Sequence, residues 1–291
     1  MFEGVMVAII TPFSDGRVDE EAFRRLINRL IEEGITAIVP CGTTGESATL
    51  THEEHRTVTE ICIDEVKGRV PVLAGTGSNS TSEAIDLTRH AKQAGADGAL
   101  MVSPYYNKPT QEGIYQHFKA VAEAAPLPII LYNIPGRTSS LMLPETIARL
   151  AEIDNIVGVK EATGDLNLMA RTIELCGPEF TVVSGDDALT LPLLAIGGRG
   201  VISVAGQVMP RQMVEMYNAF KDGNWEDCRR RFFDLLPLFR ALFLETNPIP
   251  VKTALSLMGS IKPGFRLPLC AMSPDNEAKL RQTLIDYGLI Q

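Results

Sequence analysis

No apolar run in the 291 residues approaches the roughly 20 that a membrane-crossing helix requires. The opening stretch, MFEGVMVAIITPF, is apolar but has neither a positive leader nor a small-residue cleavage site, so it reads as a first strand and the expected compartment is the cytoplasm. Basic residues are the minority: 27 Lys+Arg stand against 36 Asp+Glu, a net charge of −9, and no basic cluster occurs. That balance excludes nucleic acid and anionic membrane as principal partners, while a small anionic substrate could still sit in a locally cationic pocket. The five cysteines (Cys41, Cys62, Cys176, Cys228, Cys270) are odd in number and scattered, with no CxxC spacing, and are expected as reduced thiols. Histidine is scarce. His52 and His55 lie in HEEH, which is not HExxH and supplies no third ligand, so no metal is expected. Nucleotide loops are missing as well: GTGSNS (75–80) lacks the third glycine of a dinucleotide fingerprint, and the first strand runs into TPFSDG.

What the chain does have is alternation. Apolar runs at 5–9, 36–40, 70–74, 97–102, 128–133, 156–160, 180–184 and 200–204 are continuous rather than alternating, as expected of parallel strands covered on both faces. Helical patterns fill the gaps. In 19–33, Phe23, Leu26, Ile27, Leu30 and Ile31 form one apolar stripe. Thr51 with Glu54, and Ser80 with Glu83, fit the capping-box spacing, and Gly34 and Gly95 fall where helices should end. Eight such repeats in about 220 residues predict an α/β fold, a closed (β/α)8 TIM barrel over 1–222. Helical patterns at 224–243, 249–259 and 274–288 predict a C-terminal helical extension over 223–291. A doubly wound open sheet is the alternative, with fewer strands and a nucleotide loop after the first.

In a barrel the chemistry sits at the C-terminal ends of the strands. Lys160 ends the run IVGV without a preceding turn, on the same predicted strand face as Ile156 and Gly158. If that face is the interior, Gly158 leaves room beside the lysine stem, and desolvation turns the ammonium toward a nucleophilic amine. The alternative is a lysine that snorkels to the rim. The other eight lysines, Lys252 among them, fall on predicted helices or loops, where a solvated role suffices. GTTGES (42–47) could hold a carboxylate through hydroxyls and backbone N–H groups, or be an ordinary strand-to-helix turn. Tyr132 could relay protons or pack as a barrel aromatic. Arg137 could fork onto a carboxylate or form a surface salt bridge. Asp186–Asp187 and Glu53–Glu54 read as helix N-terminal charges.

Together GTTGES, SPYYN (103–107), YNIPGRT (132–138), VGVKEATG (157–164), SGDD (184–187) and NPIPVK (247–252) resemble the dihydrodipicolinate synthase family over nearly the whole chain. GTTGE and the strand-borne lysine belong to the wider pyruvate-aldolase superfamily, whereas YNIPGRT with KEATG points to the synthase branch. The resemblance implies a lyase that condenses pyruvate with L-aspartate 4-semialdehyde without a cofactor, in lysine and diaminopimelate biosynthesis. It implies that Lys160 forms the imine, that Thr43 and Thr44 hold the pyruvate carboxylate, and that Gly185 and Ile202 line the pocket through their backbones. Thr43, Tyr132 and Tyr106 would relay protons, with Tyr106 reaching in from a neighbouring subunit, and Arg137 would bind the semialdehyde carboxylate. A homotetramer is implied. Ser47, Ala48, His52, His55, Asn79, Glu83 and Tyr105 resemble a feedback site for L-lysine. The competing readings are another pyruvate-dependent lyase, for N-acetylneuraminate or 2-keto-3-deoxy sugar acids, and a barrel that binds without catalysing.

Overall fold

The computed structural model describes residues 2–291. Eight parallel strands run β1 (Gly4–Ala8), β2 (Ala37–Val39), β3 (Leu73–Gly75), β4 (Gly98–Val102), β5 (Ile129–Asn133), β6 (Ile156–Glu161), β7 (Thr181–Ser184) and β8 (Gly200–Ser203). They lie in the order β2-β1-β8-β7-β6-β5-β4-β3. The two ends of this sheet meet: Ile38 bridges Val72, and the Gly75 N–H donates to the Pro40 carbonyl at 2.9 Å. The sheet is therefore a closed barrel, as the alternation predicts. β3 begins three residues later than the apolar run VPVLA. Pro71 has no N–H for a ladder, and its carbonyl accepts from Ile38 instead.

Every strand is covered on both faces. Met6, Val39, Leu73, Leu100, Ile130, Tyr132, Val183 and Ile202 fill the interior. Val5, Val7 and Ile38 on one side, and Met101, Leu131, Val159 and Val182 on the other, face the helices. One irregularity shapes the site. The register between β5 and β6 shifts, pairing Ile129 with Ile156 but Ile130 with Gly158. Val157 is the extra residue, so Ile156 packs outward with Val159 and does not share the face of Lys160, contrary to strict alternation.

The helices are α1 (Glu20–Glu32), α2 (His52–Val66), α3 (Thr81–Ala94), α4 (Gln111–Ala124), α5 (Pro135–Thr138), α6 (Pro144–Ala151), α7 (Leu166–Cys176), α8 (Thr190–Ala195), α9 (Pro210–Lys221), α10 (Trp225–Ala241), α11 (Ile249–Leu257) and α12 (Pro274–Asp286). The Thr51–Glu54 capping box forms at the start of α2. Its counterpart at α3 does not: Ser80 makes no side-chain cap, and Glu83 turns to Ser78 and His52 instead. Gly95 closes α3 in the left-handed region, where a side chain would be strained. Helices α10–α12 share one apolar cluster with the barrel, Phe232, Leu238, Leu255 and Leu280 packing with Val5, Val7 and Phe23. Their packing overturns one expectation. Lys252 on α11 is not solvated but 1% exposed. No helix among the described residues is long and apolar enough to cross a membrane.

Candidate active site

The site is assembled on the paired ends of β5 and β6. Tyr132 and Lys160 are register partners, and the Lys160 Nζ lies 4.1 Å from the Tyr132 ring centroid. Lys160 is only 5% exposed, so it does not snorkel to water. Burial pulls its pKa down from 10.5 to about 7; the Asp187 carboxylate opposes that drop and the Arg137 charge adds to it. A substantial neutral fraction then exists near neutral pH, which an amine nucleophile needs. Burial also pushes the Tyr132 phenol up to about 12, against smaller opposing effects of Arg137 and the Thr43 side chain. The phenol thus stays protonated and can donate.

Space beside the lysine stem comes from Gly185, not from Gly158. A Cβ on Gly185 would lie 3.0 Å from Lys160 Cε and 2.8 Å from the Ala162 Cβ, whereas one on Gly158 would strike the Thr181 carbonyl and Ile130. The Gly185 N–H donates to the Glu161 carbonyl at 2.7 Å, which fixes this close approach. Ile202 is fully buried in the same interior cluster as Tyr132. Asp187 was read from sequence as a helix N-terminal charge. It does open a short 3-10 turn (Asp187–Leu189), and its carboxylate is also a buried anchor, accepting from the Ser203 hydroxyl at 2.5 Å and from the N–H groups of Val204 and Ala205. Asp186 does cap, accepting from the Ala188 N–H.

Thr43 and Thr44 lie in the turn after β2, between two left-handed residues, Cys41 and Glu46. Thr44 is buried, and its Oγ1 accepts from the Asn247 Nδ2 at 2.9 Å. Arg137 lies in the single turn of the short helix α5, and its Nη2 donates to the Asn247 carbonyl at 3.1 Å. Asn247 therefore touches two of the three residues expected to hold substrate carboxylates, Thr44 and Arg137. The sequence marked it only as the first residue of NPIPVK and gave it no role, because nothing local shows that this loop asparagine meets residues 203 and 110 positions away.

A cavity of about 490 Å³ opens beside this turn. Thr43, Glu46, Arg137 and Asn247 are in its wall, together with Ser47, Ala48, His52, His55, Glu83 and Tyr105. Asn79 is not in the wall, but its Nδ2 donates to the Tyr105 carbonyl at 3.1 Å. Glu83 meets the His52 Nε2 at 3.1 Å. Burial lowers the His55 pKa to about 4, so that ring is neutral, and its Nδ1 has no partner. Lys160, Tyr132, Thr44, Gly185 and Ile202 are not in this cavity wall, and Tyr132 and Ile202 belong to the barrel-interior cluster. Tyr106 joins neither group. It is 89% exposed, with a positive φ of 72°, and its ring projects from the protomer surface. Among the described residues no three His, Cys, Asp or Glu side chains gather as a metal-binding group.

Residues 1–286 match the sequence pattern of the Dihydrodipicolinate synthetase family. The chain is 59% identical over 290 residues to a 4-hydroxy-tetrahydrodipicolinate synthase of Nitratidesulfovibrio vulgaris (strain Hildenborough), covering 99% of both. It superposes on the crystal structure of dihydrodipicolinate synthase from Aquifex aeolicus with a TM-score of 0.98, at 52% identity and 99% coverage of each chain. The corresponding enzyme of Cyanidioschyzon merolae, solved with lysine bound, gives 0.97 at 47% identity, again covering 99% of each chain.

Proposed function

The chain belongs to the dihydrodipicolinate synthetase family, and from that premise we propose that it condenses pyruvate with L-aspartate 4-semialdehyde through an imine on Lys160, as a 4-hydroxy-tetrahydrodipicolinate synthase. The observation that carries this reading is the buried amine of Lys160, poised near neutrality against the Tyr132 ring. Its lone pair adds to the ketone carbon of pyruvate, and loss of water leaves a protonated imine. That imine is an electron sink, so the methyl group releases a proton and becomes an enamine. The enamine carbon attacks the aldehyde, whose oxygen becomes the product hydroxyl. The amine of the semialdehyde then adds to the imine carbon, closes the ring and expels the Lys160 amine. Net, one water is lost. Every step is a proton transfer, an addition to a carbonyl or imine carbon, or the expulsion of water or amine from such an adduct, for which an amine and a hydroxyl relay suffice.

In this reading Thr43 and Thr44 hold the pyruvate carboxylate, the Gly185 and Ile202 backbones line its pocket, and Arg137 binds the semialdehyde carboxylate. Tyr132 and Thr43 carry protons with Tyr106, whose exposure suits donation to a neighbouring subunit of a homo-oligomer, a tetramer in our reading. Borohydride reduction in the presence of pyruvate tests the chemistry. One reduced pyruvate unit is expected on the Lys160 peptide, and an adduct elsewhere, or none, refutes it. Assaying semialdehyde beside N-acetylneuraminate and 2-keto-3-deoxy sugar acids separates the synthase from a sugar-acid lyase.

The cavity holding His52, His55 and Glu83 fits L-lysine as an inhibitor, with Glu83 pairing its ammonium, and the lysine-bound relative supports this. A titration of initial rate with lysine should show partial inhibition that Glu83→Ala removes. Unchanged rates at millimolar lysine, without binding by calorimetry, would dismiss the site. We place the enzyme in the cytoplasm, with residues 1–222 as its catalytic barrel and 223–291 as the helical extension.

A further inference from the structure

Lys252 and Glu46, 206 residues apart, meet as an ion pair with side chains 1% and 0% exposed. Burying two charges is expensive, and such pairs are often no more stable than apolar residues of the same volume. The surrounding bonds give the pair a role beyond stability. The Lys252 Nζ also donates to the Thr11 carbonyl at 3.0 Å. The Thr11 hydroxyl in turn donates to the Gly45 carbonyl at 2.7 Å. Because Gly45 adjoins Glu46, these contacts close a ring: Lys252 to Glu46, along the chain to Gly45, back through Thr11 to Lys252. The rings of Phe13 and Phe265 lie 4.2 and 5.4 Å from the Nζ and exclude water from it.

The element this ring holds is the turn that presents Thr43 and Thr44. Glu46 sits in the left-handed region at φ 56°, which costs a non-glycine residue about 1–2 kcal/mol and needs support from its surroundings. Its N–H donates to the Thr43 carbonyl at 3.1 Å. Gly45 packs so closely on the Cys41 backbone and the Ile9 carbonyl that a Cβ would come within 3.3 Å of them. Five residues before Lys252, Asn247 holds the Thr44 hydroxyl itself. The segment 247–252 thus grips the turn at both ends.

We propose that the Lys252–Glu46 pair is a positioning device, by which α11 of the C-terminal extension sets the Thr43–Thr44 turn at the geometry that receives a carboxylate. Lys252 is not in the cavity wall, and Glu46, although it borders the cavity, keeps its side chain fully buried against Lys252, so both act through the turn. The proposal rests on the reading of Thr43 and Thr44 as carboxylate ligands. It differs from a purely structural role in what it predicts: loss of the pair should alter pyruvate affinity in protein that remains folded.

The test replaces both charges together, because removing one partner strands the other in an apolar wall. Glu46→Gln/Lys252→Met should unfold cooperatively, trap pyruvate on Lys160 at saturating concentration, and show a pyruvate KM raised on the order of tenfold with a much smaller change in kcat. Glu46→Asp provides a second probe. It keeps the charge but shortens the arm by one methylene, and should raise the KM in the same direction. Thr44→Val runs in parallel. If Thr44→Val raises the KM while the two pair variants, folded by circular dichroism, leave it unchanged, the positioning role is overturned and the reading of the turn stands. If Thr44→Val itself leaves the KM unchanged, the turn is not the carboxylate site and both fall. Should the double variant fail to fold, Glu46→Asp decides: an unchanged KM overturns the proposal.

Discussion

Replacing Lys160 with methionine should abolish activity and yet stabilise the protein, by an amount that depends on pH in a specified direction. Lys160 is 5% exposed, and its pKa falls from 10.5 to about 7 on folding. At about 1.4 kcal/mol per pH unit, that drop represents on the order of 5 kcal/mol of unfavourable free energy in the protonated native state. The sign follows from proton counting. Between pH 7 and 10.5 the unfolded chain holds a proton on this lysine that the native state has lost, so native stability rises with pH across that window. Below about pH 7 both states are protonated and the full penalty applies. Methionine has a similar length and no charge, and it removes this dependence. The difference in unfolding free energy between Lys160→Met and the parent should therefore shrink by about 3 kcal/mol between roughly pH 6.5 and 9.5. Urea unfolding of both proteins at the two pH values, followed by circular dichroism, measures it. Subtracting the parent removes the contributions of all other titrating groups. A difference that does not change with pH would show that Lys160 is not held as a desolvated amine, and would undercut the nucleophile assignment as well.

Other expectations follow from the same geometry. Gly185→Ala puts a methyl group 3.0 Å from the Lys160 Cε, so capture of pyruvate by borohydride should slow markedly while stability falls by about 1–3 kcal/mol; capture at the parental rate would refute the packing argument. Arg137→Ala should leave pyruvate capture intact but weaken kcat/KM for the semialdehyde by an amount equivalent to about 1.5–3 kcal/mol, and normal turnover would show that the substrate is anchored elsewhere. Tyr106→Phe and Lys160→Ala, each inactive alone, should regain some activity when mixed under conditions of subunit exchange. Absence of recovery despite proven exchange would place the Tyr106 hydroxyl in its own chain's site.

Much of the architecture was legible in the sequence because it rests on short-range rules. A strand buried on both faces must be a continuous apolar run, and a helix laid against it must carry a stripe at 3.6-residue spacing. Eight repeats of that unit leave closure as the solution that buries them all. Lys160 was marked by its place at the end of such a run, but whether its amine stayed buried or snorkelled to the rim was left open, and the fold buried it. Tertiary structure decided what depends on contacts between distant segments. An extra residue at Val157 turned Ile156 outward, because register is set by the partner strand and not by the strand's own alternation. Gly185, from the neighbouring strand's end, supplied the space that the sequence ascribed to Gly158. Lys252 looked like a solvated helix residue until α11 packed against Glu46 and Thr11, and Asn247, though it opens NPIPVK, had no local sign of its contact with Thr44. Local pattern determines which face of an element is apolar; only closure of the fold determines which polar group that face will meet.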